Sequence, residues 1–387
     1  MTAARVVIVG GGGTGGALAH DLALRGVKVT LVERAEFTSG TTGRHHGLLH
    51  SGARYAVNDA ESAVECIEEN RILRRIVPGS FEENDGLFVA VTDEDMDFLP
   101  SFLRGCEASG IPADQLAPAE ALRLEPNLNP SLKAAVRVPD ATMDAMRMPL
   151  RFFATARANG AELLNHVEVT GLLSGGGAVR GVAVLDHVSG REAEIGADLV
   201  VNATGPWSEK IARMGGVDVP IRPSPGVMLA VRGRLCNMVL NRLHPSGDGD
   251  IVVPQRALSI VGTSSWVVED PEELEVPEDH VRRMWEEGEK LIPMIRNTPF
   301  RAAWSAARPL IGPREADASR ELSRTFKTID HAEEGVEGFV TITGGKATTL
   351  RGMAEVCADV VCRKLGVDEP CRTRETLLLP HRAAFAA

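Results

Sequence analysis

The apolar residues of the N-terminal segment come in short runs that glycines and polar residues interrupt. Val6–Val9 form the first run, a glycine-rich turn follows, and a second β-branched run ends at Glu33. Short apolar runs bounded by turn residues are typical of buried strands, and the segment between the two runs has the length of a helix. The pattern therefore predicts a β–α–β unit over about residues 4–34.

Further along the chain, helical and strand-like patterns alternate. Residues 59–77 carry apolar side chains at the spacing of one helix face, whereas residues 161–203 alternate as short strands and end in an apolar run. The remaining pattern predicts strands over Gly86–Val91, within 226–262 and over Gly338–Thr343, and helices over 93–109, 144–159, 279–296 and Thr348–Leu365. We find no internal repeat and no low-complexity segment.

Three glycines follow the first apolar run at the spacing of a dinucleotide-binding turn. Gly10 allows the tight turn, Gly12 lets the backbone approach a pyrophosphate, and Gly15 lets the helix pack close to the strands. The pyrophosphate then binds the free N–H groups at the helix N-terminus. Glu33, at the end of the second strand, is placed to bind a ribose 2′-hydroxyl and to repel a 2′-phosphate.

Two later segments also end an apolar strand in small residues before a helix. They are Val200–Gly205 and Val340–Lys346. Such strand ends let the backbone lie against a cofactor, and a helix N-terminus at the second one suits the negative charge that develops near N1 of a reduced flavin. Three such sites favour a long cofactor, FAD rather than NAD, although each later turn alone is equally typical of an ordinary helix start.

The composition restricts the class of partner. The chain of 387 residues is long for one core, so two domains are expected, and its net charge of −11 argues against nucleic acid. No apolar run is long enough to span a bilayer, so we expect a cytoplasmic protein that at most contacts the inner face of the cell membrane. The six cysteines form no CxxC pair and predict reduced, mostly buried thiols and no metal site.

Residues 40–76 read GTTGRHHGLLHSGARYAVNDAESAVECIEENRILRRI, the most specific segment of the chain. Four further motifs are PDATMDAMRM (139–148), VNATGPW (201–207), SAARPLIG (305–312) and TITGGKATTLRGMAEVCADVVCRKLG (341–366). Through these motifs nearly the whole chain resembles the large (A) subunits of the anaerobic glycerol-3-phosphate dehydrogenases. The wider superfamily is that of the D-amino-acid-oxidase-type flavoproteins, which also contains L-2-hydroxyglutarate dehydrogenase.

This resemblance implies an α/β fold with a Rossmann-like FAD domain of the glutathione-reductase and D-amino-acid-oxidase type. A mixed-sheet, α+β substrate domain is expected to lie over the flavin. The implied FAD domain comprises residues 1–80, 145–215 and 335–379, the substrate domain comprises 81–144 and 216–334, and residues 380–387 form a frayed tail. We expect non-covalent FAD, although the tandem His45–His46 offers a site of attachment.

The glycine pattern and the resemblance together imply a set of FAD contacts. The expected contacts are Gly10, Gly12, Gly13, Thr14, Gly15, Glu33, Arg34, Thr41, Thr42, Arg44, His46, Gly47, Leu48, Leu49, Val169, Ala203, Thr204, Gly205, Trp207, Arg308, Gly344, Gly345, Lys346, Ala347 and Thr348.

Oxidation of a secondary alcohol requires a group that takes the hydroxyl proton. Histidine suits this role because its pKa lies near the working pH. His50, in the LLHSGARY segment that the family places beside the flavin, is the candidate base; alternatively, it only packs against the flavin ring or donates to the cofactor. His244, on a predicted loop of the substrate domain, is the second candidate.

An anionic substrate requires fixed cations near the flavin. Arginine binds phosphate or carboxylate through a planar fork, and lysine through a point charge. Arg54 with its neighbour Tyr55, Arg308 and Lys346 all lie inside motifs of the family, and we expect them to bind the anion. Pro309 follows Arg308 and places that arginine at the end of an element.

The implied reaction is oxidation of sn-glycerol 3-phosphate, or a close polyol phosphate, to the ketone dihydroxyacetone phosphate. Electrons then pass from the flavin to a quinone or a partner redox subunit. Two alternatives stay open: an FAD-dependent 2-hydroxy acid dehydrogenase, because a carboxylate uses the same cations, and a non-catalytic FAD-binding protein of an electron-transfer complex. The related A subunits carry a cysteine-rich iron–sulfur domain, whereas only Cys371 follows the last predicted helix here, so no iron–sulfur centre is expected in this polypeptide.

Overall fold

The structure, a computed structural model, describes residues 4–272, 274–312 and 325–385. The strands are β1 (Arg5–Val9), β2 (Lys28–Val32), β3 (Leu48–Leu49), β4 (Phe81–Glu82), β5 (Gly86–Ala90), β6 (Asp114–Leu116), β7 (Ala134–Val138), β8 (Ala141–Met143), β9 (Glu162–Leu164), β10 (Val167–Gly175), β11 (Ala178–Asp186), β12 (Arg191–Gly196), β13 (Leu199–Asn202), β14 (Ile221–Arg232), β15 (Val239–Arg242), β16 (Ile251–Gln255), β17 (Leu258–Gly262), β18 (Phe300–Ile311), β19 (Phe326–Asp330) and β20 (Phe339–Gly344).

The α-helices are α1 (Gly13–Leu24), α2 (Thr41–Arg44), α3 (Ala60–Ile76), α4 (Asp93–Ala108), α5 (Pro118–Leu124), α6 (Arg147–Ala158), α7 (Ser208–Met214), α8 (Glu278–Leu291) and α9 (Leu350–Leu365). Short 3₁₀ turns cover Ala53–Tyr55, Gly205–Trp207, Pro293–Asn297, His331–Glu334, Ala347–Thr349 and His381–Phe385.

Strand β1 lies inside a six-stranded sheet of order β19–β20–β13–β1–β2–β9. All neighbours pair in parallel except β19, which is antiparallel to β20. Both faces of the sheet are covered, which explains why Val6–Val9 are all apolar and buried. The carboxyl ends of β1, β13 and β20 therefore meet at one edge, where a cofactor binds in sheets of this kind.

Both faces of this sheet carry further elements. One face carries the antiparallel sheet β10–β11–β12 and helix α7. Helices α1, α6 and α9 cover the other face and share one apolar core with it. Gly16 lets α1 approach α6, because a Cβ atom at this position would lie 2.5 Å from the Phe153 ring. Helix α1 is thereby held directly behind the glycine turn that follows β1.

The second large sheet has eight strands in the order β18–β14–β17–β16–β15–β5–β7–β6. Only the β15–β5 pair is parallel. Strands β14 and β18 pair from Ile221 with Ile311 to Val231 with Phe300, and they form the edge of the sheet that lines the cavity described below. Helix α8 packs its buried Met284 and Leu291 into the apolar core of this sheet.

The predicted elements at 59–77, 86–91, 93–109 and 338–343 are confirmed to within two residues by α3, β5, α4 and β20. Other expectations need correction. The helix predicted over 279–296 ends at Leu291, because Pro293 starts a 3₁₀ turn that an α-helix does not continue through. The last helix begins at Leu350 rather than Thr348, after a 3₁₀ turn.

Two of the predicted domain limits also differ from the sheets. The segment Phe326–Asp330, placed in the substrate domain, pairs with β20 in the six-stranded sheet. The tail expected to fray from residue 380 instead forms the turn at His381–Phe385, where Ala384 accepts a hydrogen bond of 3.1 Å from Arg157 of α6. Residues 386–387 lie outside the described part of the chain.

Candidate active site

A cavity of about 950 Å³ lies between the edge of the six-stranded sheet and strands β14 and β18. Most of the predicted FAD contacts line it: Gly10, Gly12, Gly13, Thr14, Glu33, Arg34, Thr41, Thr42, Arg44, His46, Leu48, Val169, Ala203, Thr204, Gly205, Trp207, Arg308, Gly344, Gly345, Lys346 and Ala347. The candidate site residues His50, Arg54 and Tyr55 line the same cavity.

The turn after β1 requires its glycines. Gly10 has a positive φ of 113°, and a Cβ there would lie 2.7 Å from the carbonyl oxygen of Ala203. A Cβ on Gly15 would lie only 2.0 Å from the carbonyl oxygen of Gly10, so Gly15 determines how closely α1 follows the turn. Gly15 therefore does not line the cavity. It lets α1 pack close to the strands, which is the role that the sequence predicts for it.

The carboxylate of Glu33 lies at the carboxyl end of β2 and faces the same cavity. It accepts hydrogen bonds of 2.7 Å from the Gly11 N–H and 2.9 Å from the Ala35 N–H. These two bonds fix the acceptor oxygen atoms beside the turn, where a ribose hydroxyl of a dinucleotide needs them.

An extended dinucleotide fits these walls on two observations. The buried Trp207 Nε1 has no hydrogen-bond partner among the described residues, and a buried polar atom of this kind calls for a bound group or water. Glycines also line the opposite wall: Gly344 and Gly345 have positive φ values of 86° and 73°, and a Cβ on Gly345 would lie 2.3 Å from Met353 Sδ. The Gly344–Gly345 turn therefore presents backbone to the cavity.

Three predicted FAD contacts besides Gly15 do not line the cavity. Leu49 is fully buried in the core, and a Cβ on Gly47 would lie 1.8 Å from Gln255 Nε2. Thr348 instead accepts a 3.0 Å hydrogen bond from the N–H of His50. These residues support the segment that carries His50, and their prediction as direct contacts is not supported by the geometry.

The backbone of His50 is held from both sides. Its N–H donates to Thr348 Oγ1, and its carbonyl oxygen accepts a 3.0 Å hydrogen bond from Asn70 Nδ2 of α3. The next N–H, of Ser51, donates to Asp140 Oδ1 at 2.7 Å, and burial raises the pKa of this carboxyl. The His50 ring lies 5.5 Å from the Tyr55 ring and 6.2 Å from the His46 ring, measured between ring centres.

Arg54 lines the cavity while a buried carboxylate holds it in place. Its Nη2 donates to Asp250 Oδ1 at 2.5 Å and to the Gly247 carbonyl oxygen at 3.3 Å. His244 lies behind this pair, with Nε2 at 3.4 Å from Asp250 Oδ2, and burial lowers its pKa. His244 does not line the cavity, although the neighbouring Pro245 and Ser246 do. The position of His244 does not support its prediction as an alternative base.

Lys346 follows the glycine turn after β20 and points toward helix α3. Its Nζ donates to Ser62 Oγ at 2.9 Å, lies 3.7 Å from Glu65 Oε2 and sits 5.2 Å from the centre of the Tyr55 ring. Burial raises the pKa of Glu65. The Lys346 ammonium group thus lies near the Tyr55 and His50 side chains at one end of the cavity.

Arg308 approaches the cavity from β18, on the eight-stranded sheet. It donates to the Thr263 hydroxyl and to the carbonyl oxygens of Ser224 at 3.3 Å and Ser264 at 3.2 Å. These hydroxyl and carbonyl oxygen atoms accept from the guanidinium group and orient it. Pro309 does not end the element as the sequence suggested, because β18 is an edge strand and an edge tolerates proline.

Sequence reasoning missed several lining residues of the eight-stranded sheet and its loops. Met228, Ser246 and Thr263 lie outside the motifs, and Met228 of β14 comes to lie beside β18 only because these two strands pair across about 80 residues of chain. The supporting residues Asn70 and Asp140 lie inside the family motifs 40–76 and 139–148, but no spacing rule connects either of them to His50.

The chain matches the family described as FAD dependent oxidoreductase over residues 5–360. It belongs to this family. The predicted family and the predicted FAD cofactor are thereby confirmed. Within the family it belongs with the A subunits of anaerobic glycerol-3-phosphate dehydrogenase: it is 43% identical over 376 residues to the A subunit of the enzyme from Escherichia coli (strain K12), covering 96% of this chain and 69% of that protein.

Another relative, the A1 subunit of anaerobic glycerol-3-phosphate dehydrogenase from Haloferax volcanii, is 44% identical over 382 residues, which cover 96% of this chain and 65% of that protein. Among solved structures, the glycerol-3-phosphate dehydrogenase from Bacillus halodurans complexed with FAD has a TM-score of 0.74 at 24% identity, covering 97% of this chain and 68% of that one. The L-alpha-glycerophosphate oxidase from Mycoplasma pneumoniae with FAD bound has a TM-score of 0.74 at 19% identity, covering 98% and 100%. These two structures confirm the predicted fold class.

Within the described ranges, no helix combines the length and the apolar character that crossing a bilayer requires.

Proposed function

We propose that this FAD-dependent oxidoreductase oxidises the secondary alcohol of sn-glycerol 3-phosphate to dihydroxyacetone phosphate. The observation that carries the proposal is that Arg308, Arg54, Lys346 and His50 line the same cavity as the glycine turn and Glu33. A substrate with one anionic end and one hydroxyl group matches this distribution of charge and of proton acceptors. The A-subunit relatives, named as dehydrogenases of glycerol 3-phosphate, support the same substrate.

In this proposal the arginines bind the phosphate of the substrate. Arg308, oriented by carbonyl oxygens, supplies one guanidinium group, and Arg54, which Asp250 keeps in place, supplies a second. The two guanidinium groups come from different parts of the chain, one from β18 and one from the turn after β3. Binding the phosphate between them would fix the position of the adjacent carbinol carbon.

His50 takes the hydroxyl proton in this proposal. Bound FAD would supply the hydride acceptor for the C–H hydrogen of the alcohol, and the imidazole would take the O–H hydrogen as a proton, which would leave the ketone. Thr348 and Asn70 fix the position of the His50 backbone, so the ring moves only by rotation about its side-chain bonds. Lys346 adds a positive charge near the reacting end, where it stabilises negative charge as it develops.

We further infer non-covalent FAD and, at the inner face of the cell membrane, an electron acceptor that is a quinone or a partner redox subunit. The relatives are themselves named as subunits, which supports a partner protein. Mass measurement of the denatured protein tests the cofactor linkage: the polypeptide alone supports non-covalent FAD, and a polypeptide heavier by one FAD contradicts it.

Anaerobic flavin reduction tests the substrate. We expect sn-glycerol 3-phosphate to bleach the flavin absorbance faster than 2-hydroxyglutarate, other polyol phosphates or D-amino acids. Faster reduction by 2-hydroxyglutarate would favour the 2-hydroxy acid dehydrogenase, and no reduction by any of them would favour the electron-transfer protein.

The variant His50→Asn tests the base. It should slow flavin reduction by about 10²–10⁴ if His50 is the base, and this loss of rate should shrink at high pH. A small loss of rate that does not depend on pH would leave His50 in contact with the flavin only.

A further inference from the structure

His45 and His46 separate the large cavity from a second, smaller one. The smaller cavity has a volume of about 200 Å³ and is lined by both histidines together with Asp144, Met146, Gln255 and Trp304. Both histidines also line the large cavity. The smaller cavity reaches the surface, since Met146 is 51% exposed and the Asp144 side chain 31% exposed. The two histidine rings thus lie between the cavity of the proposed oxidation and the smaller cavity.

Each ring has a buried nitrogen atom that is left without a partner. His45 Nε2 and His46 Nδ1 accept or donate no hydrogen bond within the described part of the chain. A buried polar atom of this kind costs about 1–3 kcal/mol unless water or another group satisfies it. A cavity of 200 Å³ holds several water molecules, because one water occupies about 30 Å³.

The tautomer of His45 follows from its other nitrogen. Its Nδ1 accepts a 2.9 Å hydrogen bond from the N–H of Gly47, so in the neutral ring Nε2 carries the hydrogen. Burial lowers the pKa of His45 to about 4, which keeps the ring neutral at neutral pH. His45 is therefore a fixed donor that binds and orients a water molecule.

His46 is subject to the same desolvation. Burial lowers its pKa well below the usual value, and the nearby positive charges of Arg308 and Arg54 lower it further. Asp144 is the acidic group that acts on the neighbouring His45. A neutral imidazole accepts a proton at one nitrogen and releases the hydrogen of the other, so the ring can pass a proton from one side to the other.

The spacing allows one water molecule on either side of His46. Its ring centre lies 6.2 Å from that of His50 and 6.3 Å from that of His45. A bridging water spans two hydrogen bonds of about 2.8 Å each, which matches the gap between nitrogen atoms of rings at this separation.

We propose that His46 conducts the hydroxyl proton from His50 to water in the smaller cavity, and that His45 positions this water. The proposal rests on the proposed function, because the proton comes from the alcohol that becomes the ketone. His50 gives the proton through a bridging water to Nε2 of His46, His46 releases the hydrogen on Nδ1 to the water held by His45, and the proton leaves past Asp144. The two electrons leave with the C–H hydrogen to the flavin, so charge and atoms balance.

A crystal structure of the FAD-bound protein tests the proposal without any substrate. We expect an ordered water within hydrogen-bond distance of both His45 Nε2 and His46 Nδ1. A dry site, or contact of His46 Nδ1 with the flavin, would overturn the proposal.

Stopped-flow measurement with sn-glycerol 3-phosphate tests the transfer itself. His46→Asn should slow flavin reduction by at least about tenfold, leave substrate affinity and FAD content unchanged, and recover on addition of imidazole. His45→Asn keeps an acceptor for the Gly47 N–H but loses the Nε2 donor, so we expect a smaller loss and a delayed proton release, followed with a pH dye. The control His187→Asn, at an exposed histidine paired with Glu168, should behave like the unchanged protein.

Other outcomes distinguish failure of the proton relay from failure of the proposed function. An unchanged reduction rate and prompt proton release in both variants would overturn the relay. Loss of FAD from His46→Asn, without recovery by imidazole, would show that His46 holds the cofactor instead. Failure of the unchanged protein to be reduced by sn-glycerol 3-phosphate would contradict the proposed function, while the ordered water would still test the relay.

Discussion

The two large sheets contribute to the cavity in different ways. The six-stranded sheet presents backbone at its strand ends, where Gly10 and Gly344 adopt positive φ values and side chains are small. The eight-stranded sheet presents side chains, such as Arg308 and Met228, from the faces of β18 and β14. Backbone contacts suit features that all dinucleotides share, whereas side chains select the substrate and can be exchanged without changing the fold. Substitutions in the six-stranded sheet should therefore lower the stability of the fold, and substitutions in the eight-stranded sheet should change the kinetics of substrate oxidation.

The largest effect is expected at the glycine turn. Gly15→Val would place a side chain 2.0 Å from the carbonyl oxygen of Gly10, and neither backbone has room to move. We expect a loss of stability of at least about 5 kcal/mol and no bound FAD in the purified protein. Gly175→Val is the matched control, because a Cβ there meets nothing within 4 Å. FAD bound normally by Gly15→Val would contradict the close packing of α1 on the turn.

Arg54 is an exception to this comparison, because it belongs to the substrate end yet is part of a buried ion pair. Its side chain is 10% exposed and that of Asp250 is 0% exposed. Arg54→Ala should lower the free energy of unfolding by about 3–5 kcal/mol, because it leaves a buried carboxylate without its partner. The double variant Arg54→Ala with Asp250→Asn should recover most of this loss in urea unfolding. Equal stability of the single and double variants would show that the ion pair contributes little.

The core below the six-stranded sheet should also give a distinct dependence on pH. His20 in α1 is fully buried against Phe152, and burial lowers its pKa from 6.5 to about 4. The unfolded chain therefore binds a proton below pH 6.5 that the folded chain does not bind, so stability falls as the pH drops from 6.5 toward 4. Relative to His20→Leu, the unchanged protein should lose up to about 3 kcal/mol over this interval. Parallel unfolding curves of the two proteins at both pH values would contradict this.

Substitution of Arg308 should change the kinetics and leave the stability unchanged, in contrast to substitution of Gly15. Arg308→Ala removes a charge-assisted contact worth about 1.5–3 kcal/mol, or roughly tenfold to a few hundredfold in kcat/KM, while FAD content and unfolding stay normal. Arg301→Ala is a matched control, because Arg301 is exposed on the same strand, β18. Unchanged kinetics for Arg308→Ala would place the phosphate elsewhere.

The sequence predicts the site well where the residues that bind the cofactor lie in the same short segment as the residues that determine its backbone conformation. Gly10, Gly12 and Glu33 lie within one β–α–β unit, so their spacing alone predicts their geometry. The segment that carries His50 was also predictable, because a family motif contains it.

Contacts between distant segments were not predictable in this way. Asn70 and Thr348 hold His50 from α3 and from the turn before α9, and the sequence assigned Thr348 to the cofactor instead. His244 was chosen as a second base by residue type alone, yet the register of β15 and β16 turns it toward Asp250, behind Arg54. These positions depend on which strands become neighbours, which no short-range spacing encodes.

The smallest effect is expected where the two halves meet over the dinucleotide end of the cavity. Arg34, at the end of β2, forms a two-pronged ion pair with Glu272 from the loop after β17, and its guanidinium group lies 4.9 Å from the centre of the Trp207 ring. The pair is 36% and 41% exposed, so it contributes less than about 1 kcal/mol. Glu272→Gln should therefore speed FAD dissociation by no more than about fivefold, without changing the rate of flavin reduction. Salt should weaken FAD retention in the unchanged protein more than in the variant, because only the unchanged protein has an ion pair to screen. Dissociation that is unaffected by both the substitution and the salt would show that the backbone of the glycine turn alone retains the cofactor.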